Sequence, residues 1–186
     1  MNAVLASQQT FRALLQAAAH PGSVVGIEAD HGAPPPLRRA CAAAALALFE
    51  RDVTVWISGD VPDRARAWLR ESSGVVLVES PLEANFGLVA DGEALPDLER
   101  FDAGSADEPE RSASLFVQVD ALRGGEAVRL RGPGIDGEVV AAPCGLDPSF
   151  WRFWEANAAH YPRGLDAYLF SDDAVLALMR TTVVQR

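Results

Sequence analysis

The residues best suited to bind an anion stand close together near the end of the sequence. Arg180, Thr181 and Thr182 offer a guanidinium fork and two hydroxyl groups, which are donors that suit a phosphate. Arg163 follows Tyr161-Pro162 in a predicted turn and could contact the same phosphorylated ligand. A structural interpretation competes with this one and is favoured, in which Arg180 caps the carbonyl end of its own helix and Arg163 joins a subunit contact.

A glycine-rich segment is the second candidate for contact with a phosphorylated ligand. Gly132-Pro133-Gly134-Ile135 lacks the six-position spacing of a P-loop and the lysine that such a loop uses. Pro133 also removes one backbone N–H donor. Gly132 and Gly134 are retained as candidate ligand contacts, although a turn between two strands explains the segment better.

The two cysteines, Cys41 and Cys144, are predicted to be free thiols. Cys41 lies in an apolar helix and is expected to be a packing residue. Cys144 precedes a predicted helix start, where a helix N-terminus can lower the pKa of a thiol, so a nucleophile is conceivable there. No local signature supports this role, and we assign no catalytic residue.

The three histidines, His20, His31 and His160, do not form a paired metal site, because no two of them are three or four residues apart. Folding could bring Asp30-His31 near Cys144, but unrelated polar positions are the simpler explanation. Two separated cysteines are also too few to hold an iron–sulfur cluster by the usual ligation. We therefore expect neither a metal nor another cofactor.

The most informative absence in the composition is lysine, because all 16 basic residues are arginines. Without a side-chain amine the chain cannot form a Schiff base, which excludes a self-contained pyridoxal-phosphate enzyme or lysine-dependent aldolase. The formal net charge of -10 repels nucleic acid backbones and anionic membranes. Neither is therefore an expected partner.

The length and hydropathy of the chain predict one soluble domain. Its 186 residues suffice for one core and are a tight fit for two, so residues 1–186 are expected to form a single domain. No run approaches the ~20 apolar residues that span a bilayer. Residues 1–10 do not resemble a secretory signal, and a cytoplasmic location follows as the default.

Apolar periodicity predicts the elements that position these residues. Helices are expected at residues 7–19, 37–49 and 172–179, after Pro62 and from Pro148 onward. The apolar face of the first helix is predicted to contain Phe11, Leu14, Leu15, Ala18 and Ala19. Strands are expected at residues 24–27, 53–57, 75–78, 86–89, 115–119, 127–131 and 165–170, with 75–78 covered on both faces.

The order of these elements predicts the fold class. Helices and strands alternate in the first half of the chain, and strands dominate its middle. Residues 102–112 are acidic and contain Gly104 and Pro109, so they are expected to form a surface loop. The chain is thus predicted to be an α/β protein with a mixed β-sheet sandwiched between helices.

Short motifs in a consistent order run along most of the chain. The first half contains Thr10-Phe11-Arg12, His20-Pro21-Gly22, Leu48-Phe49, Asp52-Val53-Thr54-Val55-Trp56, Trp68-Leu69 and Ala84-Asn85-Phe86. The second contains Gly104-Ser105, Pro109-Glu110-Arg111-Ser112-Ala113-Ser114-Leu115, Leu130-Arg131-Gly132-Pro133-Gly134-Ile135, Phe150-Trp151, Asn157, Tyr161-Pro162-Arg163-Gly164-Leu165-Asp166 and Arg180-Thr181-Thr182. In this order and spacing the chain resembles the PhnH family, whose members are subunits of the bacterial carbon–phosphorus lyase system.

This resemblance implies an α/β sandwich similar to the large domain of pyridoxal-phosphate-dependent transferases, without the cofactor. It also implies a homodimer in isolation and a core complex with the other carbon–phosphorus lyase subunits in the cell. That complex attaches an alkylphosphonate to the ribose of a nucleoside triphosphate with loss of the base. A later radical step, which uses an iron–sulfur cluster and S-adenosylmethionine, breaks the carbon–phosphorus bond. The family is needed for the first stage, and the resemblance assigns it no catalytic residue.

Three positions depart from the family pattern. Asn85 stands where an aspartate is usual, Glu108 where an aromatic residue is usual, and Ser114 where a threonine is usual. These changes lie in loops and strand ends. They therefore affect the contacts of those side chains rather than family membership.

Three functions remain open from the sequence. The leading hypothesis is a supporting subunit of the phosphonate-degrading complex, because the motifs are ordered and no self-sufficient catalytic group is present. The second is an autonomous transferase acting on a phosphorylated substrate, for which Cys144 and Arg180 are the candidate groups. The third is an anion-sensing binding module built on Arg180-Thr181-Thr182.

Overall fold

The computed structural model describes residues 3–28, 32–59 and 61–185. The helices in these residues are α1 (Ala3–Ala19), α2 (Arg39–Leu48), α3 (Asp63–Ser73) and α4 (Ser149–Ala159). The strands are β1 (Val24–Gly26), β2 (Thr54–Ile57), β3 (Val76–Leu77), β4 (Phe86–Val89), β5 (Ser114–Gln118), β6 (Val128–Arg131), β7 (Val139–Ala141), β8 (Asp166–Phe170), β9 (Ala174–Leu178) and β10 (Val183–Gln185). None of the helices in the described ranges has the length and apolar character required to cross a membrane.

A seven-stranded mixed sheet forms the centre of the fold, in the order β1-β9-β8-β5-β4-β2-β3. Strands β3, β2, β4, β5 and β8 pair in parallel, whereas β9 runs antiparallel to both β8 and β1. The amino ends of the parallel strands therefore share one edge of the sheet and their carboxyl ends share the other. We call these the amino edge and the carboxyl edge.

Helices α1, α2 and α3 cover one face of this sheet. The stretch of α2 from Ala40 to Ala45 is buried throughout, because its small side chains allow the helix to approach its neighbours closely. It shares a core with Val55, Phe116 and Val175 of the strands. Removal of this apolar surface from water supplies the main driving force for forming the layer.

Helix α4 and a small antiparallel sheet cover the other face. The small sheet has the order β10-β6-β7. Phe150 and Trp154 of α4 stack with ring centroids 5.6 Å apart and share a core with Leu130 of β6 and Leu176 of β9. A buried aromatic pair of this kind adds about 0.5–1.5 kcal/mol beyond the area it buries.

The predicted α/β class and the mixed sheet between helices are confirmed. The predicted helices at residues 7–19 and 37–49, after Pro62 and from Pro148 onward match α1 to α4 within a few residues. All seven predicted strands are also present within a few residues, as β1 to β6 and β8. One layer differs from the prediction, because the second face is covered by a helix together with a small sheet rather than by helices alone.

The predicted helix at residues 172–179 is wrong, because this segment forms β9. The strand lies inside the sheet between β8 and β1. Val175 and Ala177 face the core under α1 and α2, whereas Leu176 and Leu178 face the core under α4. A strand buried on both faces has no polar alternation, so its sequence cannot be distinguished from a short buried helix.

Two predicted apolar surfaces are also corrected. Residues 75–78 were expected to be covered on both faces, but β3 is an edge strand in which Val76 is 48% exposed. The buried face of α1 contains Leu14, whereas Phe11 and Leu15 are exposed. The alanine-rich face of the helix, which includes Ala13 and Ala17, packs on the sheet instead.

Candidate functional site

Arg180 lies at the amino edge, after β9 and beside the start of β8. Its Nη2 forms an ion pair with Oδ2 of Asp166 at 2.6 Å, and its Nε donates to Oδ1 at 3.3 Å. The backbone N–H of Arg180 donates to the same Oδ1 at 2.7 Å. The two side chains are 15% and 21% exposed, so water screens this pair only in part.

The remaining donors of Arg180 reach two loops. Its Nη1 donates to the carbonyl oxygens of Pro109 at 2.6 Å and Pro162 at 3.4 Å, and its Nη2 donates to Oγ of Ser112 at 2.6 Å. A guanidinium has five N–H donors, and these contacts, with those to Asp166, engage all of them. Arg180 therefore fastens the acidic loop and the turn before β8 to the sheet.

Thr181 and Thr182 form a turn between β9 and β10. Thr182 is buried, its Oγ1 accepts a hydrogen bond from the backbone N–H of Met179 at 3.2 Å, and its carbonyl oxygen accepts one from Nε1 of Trp154 at 3.0 Å. Thr181 is half-buried. The proposed capping of a helix by Arg180 is wrong, because the segment before it is a strand.

Gly132 and Gly134 follow β6 and pack against this corner of the fold. Their φ values are 148° and 83°. A Cβ atom at Gly132 would lie 2.7 Å from the carbonyl oxygen of Thr181, and one at Gly134 would collide with the carbonyl oxygen of Ala19. Both positions therefore require glycine. Contact of Gly132, Gly134, Thr181 or Thr182 with a ligand stays a prediction.

A cavity of about 370 Å³ opens at the amino edge beside the last turns of α4. We call it the α4 cavity. Its other walls are the segment before β5 and the turn before β8. It is lined by Leu98, Glu99, Phe101, Ala103, Phe153, Ala156, Asn157, His160, Arg163, Gly164 and Leu165.

The polar residues of the α4 cavity differ in how they are bonded. Asn157 is buried, and its side chain both donates to the carbonyl oxygen of Leu165 at 2.9 Å and accepts from its N–H at 2.7 Å. The side chains of Arg163, His160 and Glu99 are exposed and make no hydrogen bond or ion pair with another described residue. The cavity therefore combines a wall fixed by hydrogen bonds with three ionisable side chains that have no partner among the described residues.

The carboxyl edge is where open α/β sheets usually bind ligands, and two of its described polar side chains, Arg38 and Gln118, have partners within the chain. Arg38 forms an ion pair with Asp120 at 2.7 Å between Nη2 and Oδ1. Gln118 is buried, and its Oε1 accepts from the N–H of Arg38 at 2.7 Å. Its Nε2 donates to the carbonyl oxygens of Pro36 at 3.0 Å and Ala90 at 2.9 Å.

The donors at the N-terminus of α2 likewise have partners within the chain. Oδ2 of Asp172 accepts from Nη2 of Arg39 at 2.6 Å and from its Nε at 3.0 Å. The carbonyl oxygen of Asp172 accepts the N–H of Ala40 at 3.0 Å. Hydrogen bonds from the Arg39 guanidinium hold the pKa of Asp172 below its ordinary value. A helix N-terminus can bind an anion, and here the anion is a carboxylate of the chain itself.

Both cysteines are free thiols, as predicted. Cys41 is fully buried in α2, and burial raises the pKa of its thiol, which confirms a packing residue. Cys144 is half-buried, with Sγ 3.5 Å from the carbonyl oxygen of Arg123. It lies outside the first turn of α4, where the carboxylate of Asp147 accepts from the N–H of Ser149 at 2.7 Å.

The histidines give no metal site in the part of the chain that the structure describes, where no group of three His, Cys, Asp or Glu side chains could hold an ion. The suggested approach of Asp30-His31 to Cys144 lies outside the described residues. His20 donates one hydrogen bond at the end of α1, from its Nδ1 to the carbonyl oxygen of Gln16 at 3.1 Å.

Sequence reasoning missed the carboxyl-edge contacts and two ionisable groups of the α4 cavity. Gln118 carried a usable signal, because a polar side chain inside an apolar strand requires hydrogen-bond partners. His160 and Glu99 carried none. Their position beside Arg163 results from folding alone.

Comparison with known proteins identifies similar chains. The family described as "Bacterial phosphonate metabolism protein (PhnH)" matches residues 1–185. The chain is 37% identical over 184 residues to "Alpha-D-ribose 1-methylphosphonate 5-triphosphate synthase subunit PhnH" of Rhizobium meliloti (strain 1021), with 98% of this chain and 92% of the relative covered. It is 34% identical over 179 residues to HtxG of Stutzerimonas stutzeri, which is named as a C-P lyase subunit protein, with 94% and 84% covered.

Proposed function

Because the chain belongs to the bacterial phosphonate metabolism protein PhnH family, we propose that it is a subunit of the carbon–phosphorus lyase core complex in organic phosphonate degradation. In this role it supports the transfer of an alkylphosphonate to the ribose of a nucleoside triphosphate. The observation that carries the proposal is the family match over residues 1–185, joined by 37% identity to a synthase subunit.

The contacts of the arginines favour a supporting role over independent catalysis. Arg38, Arg39 and Arg180 are each paired with a carboxylate of the chain. These three guanidinium groups are therefore not free to bind a phosphorylated substrate, a role that would otherwise suit them. We therefore propose that the chain is not catalytic alone and that its surfaces serve neighbouring subunits.

The proposal extends to the organisation of the protein. We propose that residues 1–186 form a single domain, since two cores share one central sheet. The mixed sheet with helices on both faces supports a relation to the large domain of pyridoxal-phosphate-dependent transferases.

We also propose a homodimer in isolation and a cytoplasmic location. The net charge of -10 argues against nucleic acid and anionic membrane partners.

For the predicted ligand residues we propose a division of roles. Arg163 meets an anionic ligand, because its guanidinium is exposed at the α4 cavity and unengaged by described residues. The other predicted residues shape the corner of the fold beside it, and they are Arg180, Thr181, Thr182, Gly132 and Gly134.

Affinity capture tests the subunit role. The tagged full-length chain is isolated from its own cells during growth on methylphosphonate, and co-purifying proteins are identified by mass spectrometry. We expect the other carbon–phosphorus lyase subunits in a fixed proportion. Recovery of the chain alone, from cells in which those subunits are shown to be expressed, contradicts the proposal.

The α4 cavity favours a second candidate function, an anion-sensing module. The two functions differ in what the isolated chain does, because a sensor binds its ligand without other subunits and raises its own thermal stability. Ligand-induced stabilisation together with failure to capture other subunits would favour the sensor. Turnover of a phosphorylated substrate by the pure chain would instead favour an autonomous transferase.

A further inference from the structure

We propose that the α4 cavity binds a small organic phosphonate or phosphate ester, with the apolar group inside and the anionic head at Arg163 and His160. This inference rests on the proposed function and deepens it, because it gives the chain its own contact with a phosphorus-containing ligand.

The interior of the α4 cavity suits the apolar part of such a ligand. Leu98, Phe101 and Leu165 form walls that are each 5% exposed or less. Phe153 adds a second aromatic ring from α4. The volume of about 370 Å³ lies in the lower part of the range of small-molecule sites, which are typically about 300–1,000 Å³. A purely ionic ligand would leave this apolar surface unmatched.

The mouth of the α4 cavity suits the anionic head. Arg163 and His160 come from one turn, in which the N–H of Arg163 donates to the carbonyl oxygen of His160 at 3.1 Å. Neither side chain has a partner among the described residues, in contrast to Arg180 with its five contacts. Charge-assisted hydrogen bonds from a guanidinium to phosphonate oxygens are short and strong.

The carboxylate of Glu99 narrows the choice of ligand. It lines the same cavity and has no partner among the described residues. A second anionic group on the ligand would meet repulsion there, whereas a hydroxyl or ammonium group would find an acceptor. The cavity therefore favours a ligand with a single anionic head over a polyanion such as a nucleoside triphosphate.

Backbone hydrogen bonds hold the walls of the α4 cavity in place without a ligand. The N–H of Gly164 donates to the carbonyl oxygen of Ala103 at 2.8 Å, which joins two walls. Asn157 ties α4 to Leu165 through two hydrogen bonds. A largely preformed site avoids an ordering cost on binding.

Three probes separate the contributions of the two halves of the ligand. Isothermal titration calorimetry on the full-length chain compares phenylphosphonate with inorganic phosphate and with benzyl alcohol. We expect saturable binding of phenylphosphonate that is at least about tenfold tighter than binding of inorganic phosphate or of benzyl alcohol. Phosphate lacks the apolar group whose burial is favourable, and benzyl alcohol lacks the charge-assisted hydrogen bond. Equal affinity for phosphate and phenylphosphonate overturns the proposal.

Matched variants locate the binding site. Arg163→Ala removes the head contact and Ala156→Leu fills the cavity from an exposed position of α4, and each is expected to weaken phenylphosphonate binding at least about tenfold. Arg152→Ala and Ala159→Leu make the same changes at exposed positions of α4 outside the cavity and leave binding unchanged. Unaltered circular dichroism and thermal melting show that each variant is folded.

Failure of this inference can be distinguished from failure of the subunit role. If the isolated chain binds no phenylphosphonate at millimolar concentration but still captures the other subunits, the cavity proposal is overturned and the subunit role stands. If Arg163→Ala abolishes capture in that case, the cavity receives a protein partner, which also overturns the small-ligand proposal.

Discussion

Arg180 and Arg163 illustrate two uses of the same side chain at the amino edge. Arg180 is largely buried and all five of its donors contact the chain, including the carboxylate of Asp166. Arg163 is exposed beside a cavity and unengaged by described residues. Removal of the first should therefore affect folding, and removal of the second should affect recognition.

The first prediction concerns the stability of Arg180→Ala. Loss of this side chain leaves the carboxylate of Asp166 shielded and without its cation, so we expect the free energy of unfolding to fall by about 3 kcal/mol or more. Urea denaturation measures the change. Arg163→Ala is the control and should stay within about 0.5 kcal/mol of the parent protein. Equal stability of the two variants would show that the Arg180 contacts contribute nothing.

The second prediction concerns the pH dependence of the Arg39–Asp172 pair. The folded-state pKa of Asp172 is lowered by hydrogen bonds from Arg39. The carboxylate therefore stabilises the fold above the unfolded pKa of about 3.9, and this contribution is lost as the pH falls through the lower folded value. We expect the stability difference between the parent protein and Asp172→Asn to be constant from about pH 7 to 5 and to shrink below about pH 4.

Denaturation at a series of pH values checks this expectation. Asp136→Asn is a suitable control, because Asp136 is exposed and has no partner among the described residues. Its difference from the parent protein should not vary with pH. A difference for Asp172→Asn that widens on acidification would mean that the pair does not lower the pKa of this carboxyl group.

At the scale of elements, α1 allows a direct test of which face is buried. Leu14 is 2% exposed and Leu15 is 54% exposed. Leu14→Ala should lower the free energy of unfolding by about 2–4 kcal/mol because it leaves a cavity against the sheet. Leu15→Ala should change it by about 0.5 kcal/mol or less. Thermal or urea unfolding of the two variants compares the faces, and a larger effect at Leu15 would reverse the assignment.

The sequence predicts elements well where the apolar pattern has one period. Strand β6 alternates exposed Arg129 and Arg131 with buried Leu130, and this pattern identified it. The sequence of β9 shows no polar–apolar periodicity, because the strand is buried on both faces. Only its pairing with the strands on either side makes it extended. On α1, alanines and leucines both count as apolar, so the pattern could not show that the alanine-rich face packs on the sheet.

The candidate site was predictable only in part. The sequence indicated that Arg163 and Arg180 were suited to anions, but it could not show which guanidinium was already engaged. That depends on contacts of Arg180 with Ser112 and Pro109, which are 68 and 71 residues away in the chain. The α4 cavity depends on three separate segments meeting at one edge, and no local pattern encodes such a meeting.

At the scale of the whole molecule, the two cysteines report on cooperativity. Cys41 lies in the core under α2, whereas Cys144 is half-buried near the surface. In a single cooperative domain, a thiol reagent should label Cys144 under native conditions and Cys41 only after global unfolding. We expect the denaturant dependence of Cys41 labelling in Cys144→Ser to match that of the circular dichroism transition.

A different outcome would be informative about the domain proposal. Labelling of Cys41 well below the main transition would mean that α2 opens separately from the rest of the sheet. The burial that raises the pKa of Cys41 would then be lost without global unfolding, and residues 1–186 would not behave as one unit.

The way in which Arg180 holds its two loops has a consequence for how this protein can change over evolution. Its guanidinium donates hydrogen bonds to the main-chain carbonyl oxygens of Pro109 and Pro162. Any amino acid at these two positions would present such an oxygen. Neighbouring loop positions whose side chains have no hydrogen-bond partner among the described residues, such as Ala106 and Asp107, can therefore diverge between species while the loop stays anchored. A lineage that acquires new partners can therefore change the side chains of this surface without loss of the fold, provided that Arg180 is retained.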